Sequence, residues 1–427
     1  MDISELKKRV AQIIDERADE IIAIGESILA KPEMGYRELN TSALVRAKLD
    51  ELSIPYRDGL AVTGVKGRLK GKESRATVCV IGEMDAVTCN THPTADPITG
   101  AAHACGHNLQ IAQMLGCAMA LKEVAPELYG DVCFFAVPAE EYVEIGYRES
   151  LRKKGSIEFF GGKQELIRIG EFDDIDMAMM VHAQGGVPEN SAFIGGGSLG
   201  FVAKTVDFIG KAAHAGGAPH EGINALNAAM SAMMCIHAQR ETFRDEDKIR
   251  VHPIITNGGE LVNVVPAKVT METYVRGASF EAINDASEKV DRAIKGASYA
   301  IGATAEITDY KGYLPLVQSE ELSALFAKNA EQFVPKDRIY YGVDMVGSSD
   351  MGDLGHVMPI IQPTMGGYVG NLHSMEFSVV DKTLGYINPT KIMAMTVIDL
   401  LADGAKGALA VKESFKPRMT KEKYIKF

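Results

Sequence analysis

Apolar residues recur at helical spacing from the start of the chain: Ile3, Leu6, Val10, Ile13, Ile14, Ile21, Ile24 and Ile28, with Pro32 after the last of them. The spacing predicts one long amphipathic helix or two in succession. Leu44, Val45, Leu49 and Leu52 predict another, which stops before Pro55. Then the period changes. "GVKGRL" has strand length, and "ATVCVIG" is a nearly unbroken apolar run, the pattern of a strand covered on both faces. Leu109, Ala112, Leu115, Ala118 and Leu121 mark a helix, and "DVCFFAVP" and "DIDMAMMVHA" predict two more buried strands. Strands joined by long helical connections predict an α/β sheet with parallel members.

The character shifts near residue 195, where "GGGSLG" offers a hinge. Beyond it "FVAKTVDFIG" and "AKVTMETYVRG" alternate apolar and polar residues like half-exposed strands, with helical patterns at 222–239 and 280–301. Strand, helix, strands, helix, strand predicts an α+β insert of ferredoxin-like type. From about residue 312 the chain returns to the first domain, with a helix near 319–332, the Gly-rich "MGGYVGNLHS" and a last helix near 388–403. The expected division is 1–195, 196–311 and 312–427, with the first and third segments forming one domain.

Composition narrows the function. The formal net charge of −12 and the absence of a clustered basic face argue against a nucleic-acid partner, and the tail from Lys412 to Lys426 reads as a solvated terminus. The opening residues, "MDISELKKRVAQIIDERADEII", are charged throughout, so neither a secretion signal nor a membrane span is expected there. Six scattered cysteines (79, 89, 105, 117, 133 and 235) fit reduced, buried thiols and a cytoplasmic setting.

Candidate chemistry gathers at the strand ends, where open α/β sheets bind ligands. "ATVCVIG" runs into Glu83 and Asp85, "DVCFFAVPA" into Glu140 and Glu141, and "DMAMMV" into His182. Cys105 and His107, in "HACGH", precede a helix, and His373 lies in the Gly-rich loop. One thiolate, three imidazoles and several carboxylates suffice for two divalent ions. A thiol nucleophile made of Cys105 and His107 fits less well, since side chains two residues apart do not reliably face each other.

The ordered set "GEMDA", "HACGHN", "VPAEE", "VHA", "GKAAHAGGAPHEGINAL", "NVVPAKVTMETYVR" and "GNLHS" resembles the M20 metallopeptidases, over about residues 20–400. The likeness is to their amidohydrolase branch, which includes auxin-conjugate, hippurate, N-acyl amino acid and aminobenzoyl-glutamate hydrolases. The resemblance implies a di-metal exopeptidase-like catalytic domain and an inserted dimerisation lid. It implies Cys105 as the ligand shared by both ions, with His107 and His182 on one and Glu141 and His373 on the other. Glu140 would be the general base and Asp85 the carboxylate that orients the ligands. His214 would reach the substrate, typically in the neighbouring subunit of a homodimer, and Asn263 and Arg276 would hold its polar end. Zinc, manganese and cobalt all suit the ligand set.

The expected function is therefore metal-dependent hydrolysis of the amide bond of an N-acyl amino acid or similar small conjugate. A dipeptidase on the same scaffold is the alternative within enzymes; a silent binding protein is the alternative outside them, and Glu140 argues against it. Four departures from the usual pattern bear on the substrate: Asn108 in place of aspartate, "MDAVTCNTHP" in place of "MDALP", Tyr142 and Val143 after the acidic pair, and about forty residues between Glu141 and His182.

Overall fold

The computed structural model describes residues 1–426. The chain forms two compact units: one takes in Met1–Gly197, Val317–Asp344 and the chain from Asp353 on, the other Ser198–Leu316 and Met345–Gly352.

The first unit is built on a six-stranded sheet, in the order Tyr56–Leu60, Gly64–Leu69, Asp131–Val137, Thr77–Glu83, Met177–Met179 and Ile360–Ile361. The last four run parallel; the first two are antiparallel additions. Every residue of Thr77–Glu83 and Asp131–Val137 is buried, as unbroken apolar runs require when helices cover a parallel sheet. Helices Ile3–Glu16, Ala18–Leu29, His107–Val124 and Asn388–Leu401 contribute to the same hydrophobic core. The N-terminal apolar pattern resolves into two helices. Asp2 caps the first through a reciprocal bond pair with Glu5, and the helix ends at Arg17. The segment "DIDMAMMVHA" also divides. Its first part stays in the main sheet, whereas His182–Ala183 pairs with Thr364–Met365 in a separate four-stranded sheet.

In the second unit, strands Gly200–Ile209, Lys268–Gly277 and Thr304–Lys311, with the short pieces Arg250–Val251 and Ile254–Asn257, form one antiparallel sheet. Helices Ala225–Ala238 and Phe280–Ile301 pack with one face of it, giving the ferredoxin-like strand–helix–strand–strand–helix–strand order. Along Lys268–Gly277 the alternation is strict. Val269, Met271, Thr273 and Val275 are buried, while Thr270, Glu272, Tyr274 and Arg276 are half-buried on the opposite face.

All six cysteines are free, and all but Cys235 are buried. Among the described residues no helix is long and apolar enough to cross a membrane.

Candidate metal centre

Parallel register sets Glu83 beside Val137, so the residues that follow both strands emerge at one carboxyl edge. Glu83 and Asp85 follow one strand, Glu140 and Glu141 the other. Into this edge projects the start of the His107–Val124 helix, whose N-cap is Gly106 at φ +83°. A side chain at Gly106 would meet Ala183 Cβ at 2.8 Å, so only glycine lets the backbone turn here between Cys105 and His107.

The side chains converge. Cys105, His107 and His182 place one ligand atom each within 4.8 Å of one another, as do Cys105, Glu141 and His373. Cys105 belongs to both sets, with its Sγ 3.6 Å from His182 Nε2. His373 Nε2 lies 3.0 Å from Glu141 Oε1. His107 Nε2 and Glu141 Oε1 are buried and make no hydrogen bond among the described residues. His107 Nε2 faces Glu83 Oε2 at 3.1 Å and Glu141 Oε1 faces His373 Nε2, so buried thiol, imidazole and carboxylate atoms crowd one space without hydrogen-bond geometry between them, a donor set that fits a cation.

Hydrogen bonds on the far side orient these groups. His107 Nδ1–H donates to the Asp85 carbonyl oxygen (2.9 Å), beside Asp85 Oδ1 (3.2 Å). His182 Nδ1–H donates to the Ala183 carbonyl (2.8 Å). In each neutral ring the lone pair is therefore on Nε2, facing inward. Asp85 Oδ2 also accepts from the Glu141 backbone N–H (2.9 Å), which ties the two ligand sets to one carboxylate.

Electrostatics favour cation binding. Burial alone would raise the Cys105 thiol, but the His107 and His182 imidazoles hold it well below its ordinary value, in the thiolate range. Burial works against charge on His107 and His182 as well, yet Glu83 and Cys105 raise both. The charge of Glu141 raises His373 too, to about 11, against a smaller opposing effect of burial. His103, the other histidine of the motif, belongs to neither ligand set. It is buried with neither nitrogen hydrogen-bonded among the described residues, and burial lowers it to about 3.

Several supporting residues carry no role in the sequence reading, and Glu83 appears there only as a ligand-type residue at a strand end. Glu83 lies 3.1 Å from His107 Nε2, and its carboxylate is gripped by Lys163 Nζ (2.5 Å) and Gln110 Nε2 (2.9 Å), all fully or almost fully buried. Burial would raise Glu83, but Lys163 and the histidines hold it low. Buried Arg148 donates to the carbonyls of Phe160 (2.6 Å) and Glu141, fixing the backbone of the acidic pair, and its guanidinium lies over the Tyr36 and Tyr142 rings. Glu38, fully buried, accepts from Thr63 and the Ala139 N–H, and burial together with the charge of Asp85 pushes it up to about 8. Lys163→Met should destabilise the protein by about 3–5 kcal/mol, because it leaves the Glu83 carboxylate buried without its cation. Thermal denaturation checks this; an unchanged midpoint would show that Glu83 is neutralised by other groups.

The departures from the usual pattern become intelligible here. The Asn108 amide donates to the Gly25 carbonyl (3.2 Å), a bond aspartate cannot make. The loop around "TCNTHP" braces the His373 segment: His92 Nε2–H donates to the Phe377 carbonyl (2.9 Å), and Cys89 Sγ approaches the His373 carbonyl at 3.8 Å. His373 itself has φ +61° and donates its N–H to the Ala104 carbonyl (2.8 Å). The long stretch after Glu141 folds into helices Ile145–Lys153 and Gly162–Arg168, which carry Arg148 and Lys163.

His214, Asn263 and Arg276 lie in the second unit. His214 is exposed, and its Nδ1 accepts from the N–H groups of Gly216 (3.2 Å) and Gly217 (2.9 Å), which puts the proton of the neutral ring on Nε2. Asn263 is exposed on the segment whose Val264 bridges to His214. Arg276 donates to Ser348 Oγ (2.6 Å) and stacks against Phe201 and Tyr274.

Comparison with known proteins gives a consistent answer. The model of peptidase family M20/M25/M40 matches residues 79–383. A mouse (Mus musculus) Xaa-Arg dipeptidase is 28% identical over 99% of this chain and 95% of its own. An N-acyl-L-amino acid amidohydrolase of Geobacillus stearothermophilus is 26% identical over 74% of this chain and 82% of its own. A Bacillus subtilis protein described as a dinuclear metal-binding M20 peptidase shares the fold, with a TM-score of 0.68 at 20% identity over 91% of this chain and 99% of that one.

Proposed function

The chain belongs to peptidase family M20/M25/M40 and is a hydrolase of carbon–nitrogen bonds; from that premise we propose that it is a metal-dependent amidohydrolase of N-acyl amino acids or similar small conjugates, using two divalent ions. The observation that carries the reading is the single thiolate, Cys105, common to two ligand triads beside a buried carboxylate, Glu140. Zinc or manganese is the expected metal, with cobalt a working substitute. Such ions, when bound, supply an ionised water at neutral pH and polarise the amide carbonyl.

The chain's own groups do the rest. Glu140 takes the proton from the attacking water and returns it to the departing amine. Asp85 holds His107 and the Glu141 backbone in place. His214, its proton fixed on Nε2 by two backbone donors, has the form needed to donate to a tetrahedral oxyanion. Its place in the proposal is across a homodimer, in the neighbouring subunit's site. Asn263 and Arg276 bind the substrate's polar end. No covalent intermediate is required.

The mouse relative, an Xaa-Arg dipeptidase, favours a second reading in which the bond cut is that of a dipeptide. A hydrolysis screen of N-acyl amino acids and dipeptides, with stripped protein reloaded with each metal, separates the two. Absence of turnover on both series with every metal would overturn the enzymatic reading.

The raised imidazoles add a pH signature. Metal uptake must expel their protons, so affinity should keep rising with pH above the ordinary imidazole value of 6.5. Competition titrations at several pH values measure it; an affinity that levels off just above neutrality would mean the three rings are already neutral in the free protein.

A further inference from the structure

The backbone is held on both sides of Glu140, each time by a buried carboxyl. Asp85 accepts the N–H of Glu141 (2.9 Å), and Glu38 accepts that of Ala139 (2.9 Å). The Ala139 carbonyl is held too, by the Gly162 N–H (3.1 Å) and Arg148 Nη1 (3.4 Å). Ala139 has φ +52°, a left-handed conformation that is unfavourable for an L-residue. It redirects the chain directly after strand Asp131–Val137. Gly35 closes over it, since a side chain there would meet Ala139 Cα at 3.0 Å.

Nothing local explains Glu38. It is the N-cap residue of helix Leu39–Glu51, yet its side chain makes no capping bond. Glu33 caps that helix instead, accepting the N–H groups of Asn40 and Thr41, both at 2.9 Å. Glu38 is fully buried and forms no ion pair among the described residues, a costly place for a carboxyl. Its second oxygen accepts from Thr63 Oγ1 (2.6 Å), beside the turn that joins Tyr56–Leu60 to Gly64–Leu69. The turn is strained as well. Ala61 (φ +43°) and Val62 (φ +77°) are both left-handed, and a β-branched residue is an outlier there. Strain of this kind persists where the surroundings over-determine it, and it collects at functional sites.

We infer that Glu38 is a positioning residue for the general base, fixing the residue before Glu140 as Asp85 fixes the residue after it, with Thr63 holding Glu38 in register. The inference rests on the reading of Glu140 as that base. Released from Glu38, Ala139 is free to relax to an ordinary backbone conformation, and the Glu140 carboxylate moves with it. Burial and the charge of Asp85 push Glu38 up to about 8, so it is largely uncharged at neutral pH and an amide of the same shape can replace it.

Amide hydrogen exchange on the metal-loaded protein, read by mass spectrometry, tests the clamp without turnover. Glu38→Leu should speed exchange at the Ala139 N–H, whereas Glu38→Gln, which keeps an acceptor, should leave it protected. Unchanged protection in the Glu38→Leu protein would overturn the clamp, whatever bond the enzyme cuts. Kinetics on the best substrate of the screen test the positioning. Glu38→Leu should lower kcat by up to about a hundredfold, the cost of an ångström's misplacement, with KM and both metals retained. Glu38→Gln should recover most of that loss. In the Glu140→Gln background Glu38→Leu should have no further effect on kcat, because the group it positions is already gone. A further loss of the same size there, or loss of metal, would make Glu38 a structural residue and overturn the proposal. Thr63→Val keeps the shape of the turn and should lower kcat by a smaller factor at constant KM. It carries the same cycle if the Glu38→Leu protein does not fold, and an unchanged kcat would then overturn the proposal. A base other than Glu140 would show separately, as full activity of the Glu140→Gln protein alone.

Discussion

Glu140→Gln should keep both metals and the native fold yet lose about a hundred- to ten-thousand-fold in kcat, the usual contribution of a general base. The amide is nearly isosteric with the carboxylate but cannot take a proton from water. Glu140 lies 3.9 Å from His107 Nε2 and forms, with Glu83 and His107, a third group of possible ligands, but neither triad built around Cys105 includes it. Loss of the proposed base should therefore leave the metal content intact, and loss of metal in this variant would make Glu140 a ligand instead. Glu141→Ala gives the contrast: its Oε1 lies in the triad with Cys105 and His373, and metal should be lost along with activity. The measurements are kcat on the best substrate of the screen and elemental analysis of the same samples. A Glu140→Gln protein as active as the parent would end the proposed mechanism.

Cys105→Ala should empty both positions at once. Every other residue of the two triads belongs to one of them only, so deleting the shared sulfur removes a ligand from each. Loss of an outer partner typically weakens a metal by about ten- to a hundredfold; loss of a shared direct ligand should exceed that for both ions. His107→Ala should remove one ion preferentially. His103→Ala, two residues from Cys105 but outside both triads, should hold its metals. Elemental analysis after dialysis against a weak chelator reads all three. Full occupancy in the Cys105→Ala protein would show that the ligands are other residues.

The parts legible in the sequence are those where one physical rule dominates. Thr77–Glu83 and Asp131–Val137 announce themselves because a strand buried on both faces admits few polar residues. The rule that ligands collect at strand ends then points to Glu83, Asp85, Glu140, Glu141 and His182 before any coordinates are known. The supporting shell is different. "GKQELIR" reads as an ordinary exposed helical turn, yet Lys163 and Gln164 are fully buried. A lone lysine has no periodicity of its own, and only the tertiary position of Glu83 explains it. Arg148 and Glu38 are hidden for the same reason. Arg250 looks like a charge on an edge strand; pairing register, which no local pattern specifies, sets it opposite Arg276. The division of "DIDMAMMVHA" between two sheets was likewise invisible, since both halves are apolar.

The two triads are not equally rigid. Cys105, His107 and His182 are all buried, on the start of a long helix and on a short strand. The other set depends on His373, about half exposed, at a left-handed backbone position on a loop braced by His92. Ligand exchange is governed by how readily one donor can swing away and admit water. The loop-held ion is therefore the exchangeable one, leaving first on dilution or mild chelation and returning last. Purification history then becomes a variable of the enzyme: a preparation can hold one ion per chain, be fully folded and still be catalytically mute until the second is restored.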